Sequence, residues 1–198
     1  MLNTANNGAW IMSEEYLVNY CAPTMAGIKT GNLFSCFYSS EEELRGDLRK
    51  YNRIFMPRGL FLIPLKVCKG RALLYLFRRD RLAEDLSEAK ASGILQRIGY
   101  KTDDYRSCIS RLIGRLKETE SFPHEIGLFL SYPPEDVTGF VSQGADKCKL
   151  VGYWKVYGDV KSAMHIFNEY DRCTSDYSAR VRKGMGIDRL VVGDHKSA

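Results

Sequence analysis

Leu60-Phe61-Leu62-Ile63-Pro64-Leu65-Lys66-Val67-Cys68-Lys69-Gly70-Arg71-Ala72-Leu73-Leu74-Tyr75-Leu76-Phe77 sets two apolar runs on either side of Lys69-Gly70. Runs of this length joined by a short glycine-containing step predict a β-hairpin over Leu60 to Val67 and Ala72 to Phe77. Pro64 has no N–H to give to a ladder, so its strand lies at an edge or carries a bulge. An open hairpin edge is also a surface to which a partner, or a second copy of the chain, can add a strand.

Working outward, Asn32 to Tyr38 reads as a strand, and Ser40-x-x-Glu43 as a capping box for a helix bearing Leu44, Leu48, Tyr51 and Phe55 on one face. Ser13 caps a short helix through Tyr20. Pro23 then fits the first turn of a second helix, ending near Gly27 or Gly31, with Cys21 at its entrance. Downstream, Asp80 caps a helix with Leu82, Leu86 and Ala89, a break falls near Gly93, and Asp103 and Asp104 precede a helix striped by Cys108, Ile109, Leu112, Ile113 and Leu116.

Ile126 to Leu130 shows no polar alternation, which predicts a central strand covered on both faces. Pro133 and Pro134 open a helix carrying Val137, Phe140 and Val141. Leu150 to Tyr157 reads as a strand, Asp159 caps a helix with Val160, Ala163, Met164 and Phe167, and Arg189 to Val192 as a last short strand. The expectation is one α/β domain over residues 13–198, a mixed sheet with an early hairpin and helices packed around it. Residues 1–12, rich in asparagine, read as a disordered leader or tag remnant.

The chain has 198 residues, 44% of them hydrophobic, enough for the core of one domain. No apolar run approaches the roughly 20 residues that cross a bilayer, and the first residues lack a signal-peptide pattern. Six widely scattered cysteines in a chain this long predict free thiols in a reducing cytoplasm rather than a disulfide scaffold. A net charge of +5, with basic and acidic residues interleaved, permits an anionic ligand, and with no spanning run no membrane partner is expected.

Cys21-Ala22-Pro23-Thr24-Met25-Ala26-Gly27-Ile28-Lys29-Thr30-Gly31-Asn32-Leu33-Phe34, the block from Phe122 to Asp136 and Val151-Gly152-Tyr153-Trp154-Lys155-Val156-Tyr157-Gly158 together resemble the domain-of-unknown-function family 3793 over nearly all of the chain after Met12. Ser131 stands where that family's pattern has glycine. The resemblance implies a bacterial, cytosolic protein of anaerobic Gram-positive organisms, and implies no activity or cofactor.

For chemistry, a thiol at a helix N-terminus beside an imidazole is a nucleophile pattern. Cys21 as nucleophile, His124 as proton acceptor and Glu125 as the residue orienting it form the candidate catalytic set, with Lys29, Asn32 and Asp136 binding a small anionic or amide substrate. The competing reading is a buried structural thiol and a satisfied histidine. A second function from the same pocket is non-catalytic binding of a metal, haem or small anionic metabolite, with Cys21, His124, Glu125 and Cys148 or Cys173 as ligands, although no metal-ligand spacing is present.

Gly27 to Gly31 lacks the order of a Walker loop, leaving Lys29 and Asn32 as an anion contact or a plain helix end. Tyr153, Trp154, Lys155 and Tyr157 interleave aromatic and basic groups, but strand packing accounts for them better than nucleic acid does. Arg71, Arg78, Arg79 and Arg81 read as a solvated rim, and His165 and His195 have no evident partner. Gly152 marks either a bulge or a close approach.

Overall fold

A computed structural model describes residues 12–118 and 122–193. Its main sheet comprises β1 (Gly31–Phe37), β2 (Leu60–Cys68) and β3 (Arg71–Arg78) in the order β1-β3-β2. The hairpin forms as expected. Lys69 and Gly70 have φ of 47° and 77°, the left-handed pair that a tight two-residue reversal needs. Pro64 lies on the edge strand at a register shift between Pro64 and Lys66. That edge is partly closed: the Asn52 amide pairs with both the N–H and the carbonyl of Leu62, at 2.9 and 2.8 Å, and Lys66 Nζ donates to the Leu116 carbonyl.

β3 is the strand covered on both faces. Ala72, Leu74 and Leu76 pack with Phe34, Cys36, Leu60 and Leu62, while Tyr75 and Phe77 turn the other way to meet Leu65. The first face is covered by α1 (Glu14–Met25), α2 (Glu41–Phe55), α8 (Val160–Arg182) and α9 (Ile187–Leu190), and the second by α3 (Arg79–Ser87), α4 (Ala89–Arg97), α5 (Tyr105–Glu118) and α6 (Ile126–Phe129). The fold is thus mixed α/β with helices around an early hairpin. Among the described residues all strand pairing is antiparallel rather than mixed, since the expected strand at 126–130 is absent.

Ile126 to Leu130 instead forms α6 and its C-cap, buried throughout. A short apolar run suits a buried helix as well as a buried strand, and here Ser131, at φ 58°, ends it with a left-handed residue. A glycine there would adopt that conformation without a Cβ penalty. Leu150 to Tyr157 also departs from expectation, reducing to β4 (Leu150–Val151) and β5 (Lys155–Val156) around a turn. A Cβ on Gly152 would stand 2.1 Å from the Phe167 ring, so this glycine marks a close approach. Arg189 to Val192 is not a strand: α9 ends at Leu190, and Val192 N–H then donates to the Met25 carbonyl.

The helix ends divide in the same way. Ser13, Ser40, Asp104 and Asp159 accept backbone N–H groups as expected. Asp80 does not cap; it lies inside α3, paired with Arg79 at 2.7 Å. The helix break falls at Glu88, whose carboxylate caps α4, and α4 runs through Gly93. Most of the proposed leader, residues 1–11, lies outside the described residues, but Met12 belongs to the core at 2% exposure and its carbonyl accepts from Tyr51. Among the described residues no helix is long and apolar enough to cross a membrane.

Candidate functional site

Pro134 opens α7 (Pro134–Gln143), which faces the β4–β5 turn. Between them, Asp136 gathers the surrounding chain: one carboxylate oxygen accepts from the Tyr157 and Gly158 N–H groups at 2.6 and 2.7 Å, the other from Trp154 Nε1 at 2.7 Å. Buried at 3% exposure with both oxygens engaged, Asp136 lines the site but spends its hydrogen-bonding capacity on building it. Trp154 is thereby laid against Tyr132, with ring centroids 5.0 Å apart, and Phe167 meets its edge at 4.5 Å.

This arrangement leaves a cavity of about 210 Å³. Phe122, Ile126, Val137 and Phe140 supply apolar wall, Tyr132 and Trp154 the aromatic side, and His124 and Lys155 the nitrogen-bearing groups. His124 is exposed and meets Phe140 edge-on at 4.7 Å. Lys155 Nζ donates to the Ala145 carbonyl at 2.9 Å, which leaves two of its three donors for a ligand.

Tyr132 also belongs to a second cluster. Lys29, 3% exposed, holds its Nζ 5.6 Å from the Tyr132 ring centroid, 5.9 Å from Tyr153 and 5.4 Å from Tyr170. Among the described residues it makes no ion pair and no side-chain hydrogen bond; the π faces of three tyrosines are its electrostatic partners. Burial pulls the amine down to about 8, against an opposing pull from Cys21. Beside it, Thr30 N–H donates to Ser131 Oγ and the Thr30 hydroxyl to Asp85 at 2.5 Å.

The Lys29 shift has a pH signature. The folded protein holds this proton less tightly than the unfolded chain does, so stability rises with pH between about 8 and 10.5. Relative to Lys29→Met, the wild type should gain about 3 kcal/mol across that window, read from paired urea titrations. A pH-independent difference between the two proteins would rule out a buried, ionisable amine.

The structure does not bring the expected catalytic set together. The helix runs on through Pro23 because a proline near its end forfeits one backbone bond only. Cys21 therefore sits inside α1 rather than at a helix mouth, with 0% exposure, and burial pushes its thiol well above the usual range. It packs in the core cluster of α1 and the sheet, has no hydrogen bond to His124, and does not line the pocket. Glu125 turns away from His124, accepting from Tyr100 at 2.9 Å and pairing with Arg115.

Asn32 is buried in β1, where its side-chain oxygen accepts from the Thr24 hydroxyl at 2.7 Å. Of the expected binding residues, Lys29 alone has its polar end uncommitted to a hydrogen bond. Among the described residues no cluster of three His, Cys, Asp or Glu side chains could hold a metal ion. Cys148 and Cys173 are partly buried free thiols.

Of the four arginines read as a solvated rim, Arg71 and Arg81 are exposed and Arg79 is half-buried, but Arg78 departs from it. It is 1% exposed and donates to the Thr24, Met25 and Val192 carbonyls at 2.7 to 2.8 Å. His165, exposed on α8, faces Glu169 at 3.7 Å; His195 lies outside the described residues. Tyr170 is a site residue that no local pattern marked, because α8 brings it to Lys29 from a distant segment. Tyr153 and Lys155 had been grouped by their interleaving, but they serve two different clusters.

The chain belongs to the family described as protein of unknown function (DUF3793), whose model matches residues 17–191. The searches of curated proteins and of solved structures return no match.

Proposed function

We propose that this member of a family of unknown function binds a small, largely apolar carboxylic acid in the pocket beneath His124. The observation that carries the reading is the lining: an aromatic and aliphatic wall with Lys155 and His124 as its available donors. The Asp136 carboxylate is offset by its three N–H donors, which reduces its repulsion of an acidic ligand. Binding, rather than thiol catalysis, is favoured because the Cys21 thiol is sealed in the core.

Benzoate and benzylamine are a matched pair of probes, alike in size and opposite in charge. Titrated into a Trp10→Phe background, where Trp154 is the remaining tryptophan, benzoate should give a saturable fluorescence change and benzylamine none. Lys155→Met should weaken benzoate about fivefold, the scale of one partly exposed charge contact. Val137→Phe should fill much of the cavity without adding a second tryptophan, and abolish the response. A folded protein that answers neither benzoate nor phenylacetate would defeat the proposal.

A further inference from the structure

Apart from that pocket, the Lys29 cluster holds, among the described residues, a nearly enclosed side chain with chemistry left unused. Three tyrosine rings stand 5.4 to 5.9 Å from its nitrogen, and no carboxylate of the described residues neutralises it. An exposed lysine is hydrated and protonated, so its lone pair is unavailable at neutral pH. Lys29 has lost the hydration, and aromatic faces replace it only in part.

We propose that Lys29 is a nucleophilic amine that condenses reversibly with a small aldehyde of two or three carbons to give an imine. The neutral Nζ lone pair forms the C–N bond as the carbonyl π pair moves to oxygen, and the proton lost by nitrogen passes to that oxygen. The resulting carbinolamine expels the oxygen as water, so amine and aldehyde become imine and water with no change of oxidation state. The Tyr132 and Tyr153 hydroxyls already donate to the Tyr153 carbonyl and to Asp171, so the proton that leaves with the oxygen is the second one given up by nitrogen.

Every titratable group shown against Lys29 stays neutral in the relevant range. Burial pushes the Tyr132, Tyr153 and Tyr170 phenols up to about 12, and raises Cys21 on α1 well above its usual value. The pH dependence of the reaction between 7 and 9 is therefore that of the amine itself, falling near 8. The ring of phenols also limits the reagent to a small one, since a long or branched aldehyde would have to displace Tyr132 from its stack on Trp154.

The test uses the intact protein, glycolaldehyde as the probe and cyanoborohydride to reduce any imine to a stable secondary amine. Labelling is kept below one adduct per chain, and the sites are read by peptide mass mapping. Lys29 should label at least tenfold faster than the exposed Lys90 and Lys161, with a half-maximal rate near pH 8. That preference should vanish in urea, where all three become equivalent. Lys29→Arg keeps a cation among the rings and should remove the fast site alone.

Labelling of Lys29 at or below the rate of Lys90 in the folded protein would overturn the proposal and leave Lys29 as a structural cation. The comparison is made within the wild-type chain, so it stands even where the arginine variant does not fold. Loss of benzoate binding with fast Lys29 labelling intact, or the reverse, tells this proposal apart from the pocket reading.

Discussion

Asp136→Ala lowers the free energy of unfolding by about 4 kcal/mol, because it strands three N–H donors that the folded chain has withdrawn from water. The loss is not confined to three bonds. Asp136 draws Trp154 down onto Tyr132 and holds the chain at Tyr157 and Gly158 where it leaves β5 for α8, so the variant should also shift Trp154 emission to the red. Asp136→Asn keeps an oxygen for the Tyr157 and Gly158 N–H groups but turns an amide N–H₂ toward the indole N–H. About half of the loss is then expected. Urea denaturation of the three proteins decides it: a loss under about 1 kcal/mol in the alanine variant would show that water replaces the carboxylate at little cost.

Arg78→Met is expected to cost about 4 kcal/mol as well, by a different route. The guanidinium satisfies two carbonyls at the C-terminal end of α1, where a helix has orphan acceptors and a negative dipole end, and binds the Val192 carbonyl besides. Methionine retains the apolar stem and abandons all three acceptors. Lysine would carry the charge but cannot span them with a planar fork, so Arg78→Lys should rescue less than half. Hydrogen exchange gives the local signature, since the Val192 amide, bonded to the Met25 carbonyl, should lose protection in both variants. Unchanged protection there would mean that the segment holds itself in place without the arginine.

What could be read in advance follows the range of the forces involved. The Lys69-Gly70 turn, the caps at Ser13, Ser40 and Asp159 and the stripe on α5 are contests between neighbouring residues, and each came out as the local chemistry predicts. Ile126 to Leu130 was a run too short to choose between strand and helix, and its form depends on the core around it. Pro23 suits a helix start and a late helical turn alike, and α1 passes through it with Cys21 inside.

The site shows the same division. His124, Lys29 and Asp136 were visible as polar residues in unusual company, but their roles rest on partners 16 to 141 positions away: Phe140 for His124, Trp154 for Asp136, Tyr170 for Lys29. Arg78 closed an apolar strand and looked like the first charge of a basic cluster. Nothing near it in sequence announces the end of α1, 53 residues earlier, as its acceptor.

The first-face helix layer has a bearing on how the chain is made. Beyond its contacts with the sheet, α1 is held by residues that leave the ribosome more than 150 positions after it: Ser178 donates to Asn19, the Ile187 N–H to Glu14, and the Val192 N–H to Met25. During synthesis the hairpin and α2 can meet early, because their contacts are local. The apolar side of α1, with Leu17, Val18 and Cys21, has no cover from α8 until that helix has emerged, so the nascent chain carries an open groove through most of its translation.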